Sequence, residues 1–503
     1  MKMRDSDILL NPNPLVQYIK KPADKFTKAD IINFIEDYEI EMVNFRYVAE
    51  DGRLKALNFV INSKAHLDSI LSGGERADGS SLFSFIEAGS SDLYVVPRYK
   101  TAFVNPFTEV PTLDILCSFY NNEGKPLESA PEYILRKAHE EFKKATGYTF
   151  KALGELEYYV NSTKEDLYPA VDQKGYHEAG PFTKFEDFRV EATRTIAQCG
   201  GKIKYAHSEV GNFCSETENF EQQEIEFLPC IVEDAVDQLV IAKWILRKLS
   251  YQYGVEISFA PKITVGKAGS GLHIHMQLEK DGKNLMTENG VLSDIAKRMI
   301  AGILDVSDAI TAFGNTIPTS YLRLVPHQEA PTNICWGDRN RSVLVRVPLG
   351  WSGTENMIYD ANPQEDSIMP SQDGKQTVEF RAADGSADIY KFVASLVVAS
   401  QHGLQMDNAL EMAEKLYVNV NIFHDEHKDR LAQLEQLPTS CEESAKRLNN
   451  KREVFENNNV FPAGVINNVV SKLDAFKDSD LSERLYGKND EIRELVLKYI
   501  HCM

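Results

Sequence analysis

Apolar positions recur at helical spacing soon after the N-terminus. Thr27, followed three residues later by Asp30, gives a capping-box pattern, and ADIINFIEDY behind it predicts a short amphipathic helix. Next, EMVNFRYVAEDGRLKALNFVIN reads as two β-rich runs split by Asp51-Gly52, a dipeptide that tolerates positive φ and suits a hairpin. DLYVVP and TLDILCSFY add strands, so a small helix-plus-sheet unit ends near the turn NNEGK, giving a boundary at residues 124/125. At Ser129 the texture changes. Ser129 with Glu132 predicts a second capping box, and Ile134, Leu135, Ala138 and Phe142 share one helical face up to Gly147.

From there FKALGELEYYV, KIKYAHSEVG, EIEFLP, VEISFAPK, GLHIHMQLEK and VLVRVPL read as strands that alternate with helices such as the one around Val232 to Tyr253. The expectation is one large α/β unit over 125–503, with a mostly helical tail from Val393 and a further capping box at Thr439 and Glu442. Neither internal repeats nor a linker-like composition interrupts it.

Composition narrows the function classes. With 43% hydrophobic and 26% charged residues over 503 positions, the chain fills a core and solvates its surface, as a soluble globular protein does. A formal net charge of −20 with no basic patch argues against nucleic-acid and membrane partners and for a small-molecule one. The seven cysteines are scattered and form no C-x-x-C pair, which points to a reducing compartment, the cytoplasm. No window approaches the roughly 20 apolar residues that span a bilayer.

Several residues could carry chemistry. Glu155 and Glu157, two apart in KALGELEYYV, project from one face of a strand. Such a pair is ordinarily a solvated sheet face, but the apolar context makes burial of two like charges costly unless a cation neutralises them. His273 and His275 repeat the spacing behind AGSG, where they are either ligands of one group or two partly buried histidines after a tight turn. Further acids stand at Glu209, Glu224 and Glu379, each a surface acid by default. Arg323, Arg339, Arg341 and Arg346 fall within 24 positions among apolar residues, suited to phosphate or carboxylate oxygens or to an internal ion-pair network. Carboxylates with one or two histidines favour hard divalent ions, magnesium or manganese, and clustered arginines beside them suggest phosphate. The combination implies phosphoryl transfer from a nucleotide, held by a scaffold other than a G-x-x-x-x-G-K-[ST] loop, which the sequence lacks.

Eight segments in order carry a resemblance: ADGSSLFSF, SDLYVVP, GELEYY, HSEVG with EQQEIEF, FAPKI with GSGLHIH, RLVPHQEAP, RNRSVLVRVP and VEFRAADGSADIY. The order is similar to that of glutamine synthetases of the prokaryotic type I kind, and it covers nearly the whole chain from about Asp30. The resemblance implies an α+β architecture, with an N-terminal β-grasp-like domain over 1–124 and a catalytic domain with a curved antiparallel half-barrel sheet and helical tail over 125–503. It also implies ATP-dependent ligation of ammonia to the γ-carboxylate of glutamate. Two divalent cations would be held by Glu157, Glu209 and Glu224, and by Glu155, His273 and Glu379. Gly269 and Arg323 would grip glutamate; Arg341 and Arg346 would handle ATP phosphates, with His275 near the nucleotide. Arg341 and Arg381 would be catalytic, Arg381 binding glutamate or stabilising the phosphoryl group, Asp78 would bind ammonium and take its proton, and Tyr176, Glu209 and Glu329 would line the ammonium site. Glu329 also belongs to a flap that shields the intermediate. The assembly implied is a homo-oligomer, a dodecamer of two hexameric rings, with Asp78 acting across a subunit boundary.

The sequence departs from that pattern in places. Glu209 and Glu224 are 15 apart, longer than is usual in type I members, so NFCSETENF reads as an insertion. His327-Gln328 precedes the flap glutamate, and Asp388-Ile389-Tyr390 replaces the usual N-P-Y, which keeps a larger amine (a polyamine, alkylamine or ethanolamine) as the runner-up substrate. The surroundings of Tyr417 do not resemble the segment that is adenylylated in some members.

Overall fold

The computed structural model describes residues 5–84, 86, 91–325, 330–350, 357–365, 374–420 and 431–502. The first sheet is built from β1 (Met42–Val48), β2 (Leu54–Val60), β3 (Glu75–Asp78), β4 (Asp92–Pro97), β5 (Phe103–Val104) and β6 (Thr112–Tyr120). Its order is β2-β1-β6-β4-β3, with β5 also on β6. The expected hairpin forms: Met42 pairs with Val60 and Val48 with Leu54, and Gly52 turns the chain at φ 71°. Central strands β1 and β6 run parallel and are buried on both faces, whereas β2 alternates along its length as a one-sided strand does. The helix Lys28–Asp37 starts as expected, with Thr27 Oγ1 accepting the Asp30 N–H and the Asp30 carboxylate accepting the Thr27 N–H. It lays Ile31, Phe34 and Ile35 onto the sheet, giving the β-grasp-like unit its own core.

The larger unit is organised by β7 (Thr149–Thr163), β8 (Ile203–Cys214), β9 (Glu218–Phe227), β10 (Cys230–Ile231), β11 (Glu256–Ser258), β12 (Leu272–Lys280), β13 (Lys283–Asn284), β14 (Thr287–Glu288), β15 (Val291–Leu292), β16 (Trp336–Asp338), β17 (Val345–Val347) and β18 (Val378–Phe380). Among the described residues, the main path runs β16-β17-β18-β12-β7-β9-β8. All of its pairs are antiparallel except β16 with β17, so the alternation of strands and helices yields a curled antiparallel sheet and not a parallel one. The buried helices Val232–Tyr253 and Ile389–Gln405 back it, and further helices fill the tail. Trp244, on the first of these, meets Phe103 and Phe107 of the small unit, and Arg46 lies 4.5 Å over its ring. Beside it Arg98 forks onto Asp237 at 2.7 and 3.0 Å, so the two units are joined by packing and by a charged pair that also receives the Tyr390 hydroxyl.

Two expected caps are corrected. The helix Pro131–Thr146 has Ala130 at its N-cap and Pro131 in the first turn, while the Glu132 carboxylate accepts the Phe119 N–H of β6 instead of closing a box with Ser129. Proline carries no N–H and so needs no acceptor there, and the Tyr133 N–H is taken up by the Ala130 carbonyl at 3.0 Å. At the other site the box is displaced by one residue: Ser440 caps the Glu443 N–H and Glu443 accepts from Thr439.

Candidate functional site

Register on the curled sheet gathers the acids. Across β12, β7, β9 and β8, His273 stands opposite Glu155, Glu155 opposite Glu226, and Glu226 opposite Tyr205. Two residues along, Glu157 stands opposite Glu224, and Glu224 opposite His207. On the other side His275 pairs with Glu379, and Glu379 with Arg346. Because side chains two apart on a strand share a face, these rows stack into one concave patch of carboxylates and imidazoles.

Within it Glu155, His273 and Glu379 offer ligand atoms within 4.8 Å of one another, the set expected for one cation. The second set that close is His207, Glu209 and Glu224, and a third is Glu155, Glu226 and His275. Glu157 is absent from these sets because its Oε2 accepts the Gly271 N–H at 2.7 Å and the Gln222 amide at 3.1 Å, yet its charge is felt by both Glu209 and Glu224. His207 and Glu226 were not singled out from the sequence, although H-x-E and E-x-E at 207–209 and 224–226 carry the same two-residue signal as Glu155 and Glu157.

Burial pushes the Glu155 carboxyl upward, but His275 and His273, at 2.8 and 2.9 Å, outweigh it and hold the group well below its ordinary value. Glu379 is buried and raised by its neighbour Glu155, then brought below its ordinary value by Arg381, His275 and His273. Glu209 goes the other way, pushed up to about 7 by burial and then by Glu157. Glu224 is raised by burial and by four nearby carboxylates. Such a surplus of buried negative charge on oxygen donors, with a histidine in each set, fits hard divalent cations, which would relieve the repulsion.

A pH dependence follows. A carboxyl with a higher pKa folded than unfolded stabilises the protein below its ordinary value of 4.5 and loses that contribution as pH rises through about 7. Glu209 alone is expected to cost the cation-free protein on the order of 3 kcal/mol between those limits. Glu224 and His275, both raised, add to it, while His207 and Lys243, both lowered by burial and the latter to about 7, oppose it in part. The chelator-treated protein should therefore melt lower at pH 8 than at pH 5.5, with magnesium restoring more at pH 8. Scanning calorimetry in both buffers checks this, and a cation-free melting point independent of pH would contradict it.

The arginines surround the patch. Arg346 Nη1 donates to Glu379 Oε2 at 2.9 Å, Arg381 Nε to Glu379 Oε1 at 3.0 Å, and Arg381 Nη1 to the Arg341 carbonyl. Arg341 is exposed, and its charge reaches Glu209; Arg339 is exposed as well. Arg323 is buried and donates to the Ala382 and Ala383 carbonyls at 2.8 and 3.2 Å. Gly269 and Gly271 let the loop close on it: a Cβ at Gly271 would lie 2.5 Å from Arg323 Nη2 and 2.7 Å from His273 Nε2. His275 also bonds Thr377 Oγ1 through Nδ1 at 2.9 Å. Tyr176, 49% exposed, stacks on His177 at 4.1 Å and meets His207 edge-on at 5.4 Å, which places it beside the Glu209 set. Asp78 is not brought to this patch by any of its hydrogen bonds; its carboxylate accepts from the Ser80 N–H and the Ser80 and Ser81 hydroxyls at the exposed end of β3. Those donors hold its carboxyl far below the ordinary range. Glu329 and the preceding His327-Gln328 lie outside the described residues. The insertion lengthens the β8–β9 hairpin, where Phe213 stacks on Phe220 at 4.5 Å and packs against Tyr159. It leaves Glu224 opposite Glu157.

Among the described residues no helix is long and apolar enough to cross a membrane. The chain is similar to the glutamine synthetase of Clostridium saccharobutylicum, 29% identical over 431 residues covering 84% of this chain and 88% of that one. It is 28% identical to that of Microchaete diplosiphon over 477 residues, covering 88% and 94%. In fold it is similar to a Plasmodium falciparum glutamine synthetase, at a TM-score of 0.73 and 19% identity over 93% of this chain and 98% of that one. A GmaS/ADP complex has a TM-score of 0.68 at 17% identity, over 90% and 96%. The glutamine synthetase β-grasp domain is matched over residues 39–122 and the glutamine synthetase catalytic domain over 128–478, and the chain belongs to the glutamine synthetase family of ligases.

Proposed function

We propose that the protein ligates ammonia to the γ-carboxylate of L-glutamate with ATP, giving glutamine, ADP and phosphate through γ-glutamyl phosphate. The observation that carries this reading is the pair of carboxylate-histidine sets, one holding Glu155, His273 and Glu379 and the other Glu209 and Glu224, with Arg346 and Arg381 on their margin. A carboxylate resists attack by an amine, so it must first take the γ-phosphoryl group, and charge moving between oxygens demands fixed positive neighbours. Glu157, Glu209 and Glu224, joined by His207, would hold one divalent cation, and Glu155, His273 and Glu379 a second. Magnesium or manganese bound there supplies neutralisation of the phosphate oxygens. Arg341, Arg346 and Arg381 bind the phosphates, with His275 close to the nucleotide; GmaS, which is similar in fold, forms a complex with ADP, which supports a nucleotide as co-substrate. Arg323 and the Gly269 loop hold glutamate. Asp78, Tyr176, Glu209 and Glu329 bind ammonium, and Asp78 accepts its proton.

Asp78 has its hydrogen-bond partners within the small unit, which supports an active site completed by a second subunit in a homo-oligomer, a dodecamer in this reading. The same reading divides the chain at residues 124/125 and places it in the cytoplasm; no disulfide links its described cysteines.

A second reading keeps γ-glutamyl phosphate and uses a larger amine. The half-exposed Tyr176, with His177 stacked on it and His207 edge-on to it, favours this by offering aromatic faces to an alkylammonium. Phosphate release with magnesium, ATP and glutamate, on adding ammonium, methylamine, ethanolamine or putrescine, separates the two. Ammonium is expected to give the highest kcat/KM, and the first reading fails if only the larger amines support turnover.

A further inference from the structure

Outside the carboxylates, one neutral side chain touches most parts of the site. Gln222 lies on β9 two residues before Glu224 and is 1% exposed. Its Oε1 accepts the Gly211 N–H at 3.0 Å. Its Nε2 faces three acceptors: Glu157 Oε2 at 3.1 Å, the Gly269 carbonyl at 3.0 Å and Ser270 Oγ at 3.2 Å. This orientation of the amide is dictated by its neighbours, since a carboxylate and a carbonyl only accept and a backbone N–H only donates.

The partners come from three separate places. Glu157 is on β7, and Gly269 with Ser270 is on the loop that closes against Arg323. Gly211 belongs to a bulge in β8: Ser208 pairs with Gln223 and Asn212 with Glu221, so residues 209–211 face Gln222 alone. That bulge carries Glu209 out of the ladder, and the Gln222 amide takes up the backbone donor it leaves over. The fit is close on every side. A Cβ at Gly211 would lie 2.1 Å from Tyr159 Oη and 2.4 Å from Gln222 Oε1, and Tyr159 itself donates to the Ala268 carbonyl at 2.8 Å.

We propose that Gln222 is a positioning residue that sets Glu157, the Glu209 bulge and the Gly269 loop relative to one another, and so tunes both a cation site and the glutamate site. The glutamate part rests on the ligase reading; the cation part does not. Manganese titration of the full-length, substrate-free protein, followed by the EPR signal of free Mn2+, tests it together with melting temperature and KM for glutamate and ATP. Gln222→Met removes the donors and the acceptor at similar volume. Gly211→Ala displaces the amide without removing it. Each is expected to weaken one class of Mn2+ site roughly 10–100-fold, as loss of groups that orient metal ligands does. Each is also expected to raise KM for glutamate by a similar factor while KM for ATP stays within about threefold. A merely structural role would lower the melting temperature and leave the affinities of the folded protein unchanged. The proposal is overturned if both variants fold and bind Mn2+ as the parent does, or if neither folds. Should the parent protein not use glutamate, the ligase reading falls and the manganese result still decides the role of Gln222.

Discussion

Glu155→Gln is expected to remove most of the phosphate-releasing activity, on the order of 10³-fold, while leaving the fold intact. Glu155 Oε1 meets His275 Nε2 at 2.8 Å and Oε2 meets His273 Nδ1 at 2.9 Å, and the same carboxylate belongs to two of the three sets able to hold an ion. An amide of equal size keeps one acceptor but withdraws the negative charge and one ligand oxygen. If the bound cation supplies several kcal/mol to phosphoryl transfer, about 4 kcal/mol lost corresponds to that factor. His273 and Glu379 remain, so raising magnesium or manganese should recover part of the rate, whereas raising glutamate should not. Retained rate at ordinary magnesium would remove Glu155 from the cation site. Circular dichroism distinguishes this from unfolding.

Why Glu155 and Glu157 were legible in the sequence is a matter of period. Two acids spaced for one strand face in an apolar run already imply a compensating charge, and β7 does carry both toward the patch. The same rule applied to 207–209 and 224–226 would have found His207 and Glu226. What the sequence could not supply is register. That Glu157 faces Glu224 depends on pairing strands more than sixty residues apart, which no local pattern encodes, and that Glu224 faces His207 depends on the register of a hairpin that a bulge shifts. The capping boxes show the same division. Thr27 with Asp30 closes locally and was predictable, whereas Glu132 is taken by Phe119 on another strand. A tertiary partner competes for the same carboxylate and takes it.

Asp78→Asn is expected to separate the two halves of the reaction. The carboxylate accepts the Ser80 N–H at 3.0 Å and the Ser80 and Ser81 hydroxyls at 2.7 Å each, and the Ser91 hydroxyl adds to them, so it stays anionic throughout the physiological pH range. A group held so strongly as the anion is well made to bind a cation and takes up ammonium's proton only in passing, so its loss should appear both in the amine KM and in the rate of amide formation. Asparagine keeps the size and one acceptor oxygen, removes the charge, and turns a donor toward the serines. Ammonium-dependent glutamine formation should fall by roughly 10²–10⁴, the range for removing a group that handles a proton in the transition state. ADP release with glutamate alone should change little, because the acyl phosphate still forms and then cyclises onto its own α-amine or hydrolyses. Measuring ADP and glutamine in parallel gives the ratio. Equal losses of both products would place Asp78 in the first half-reaction and would remove it from the amine site.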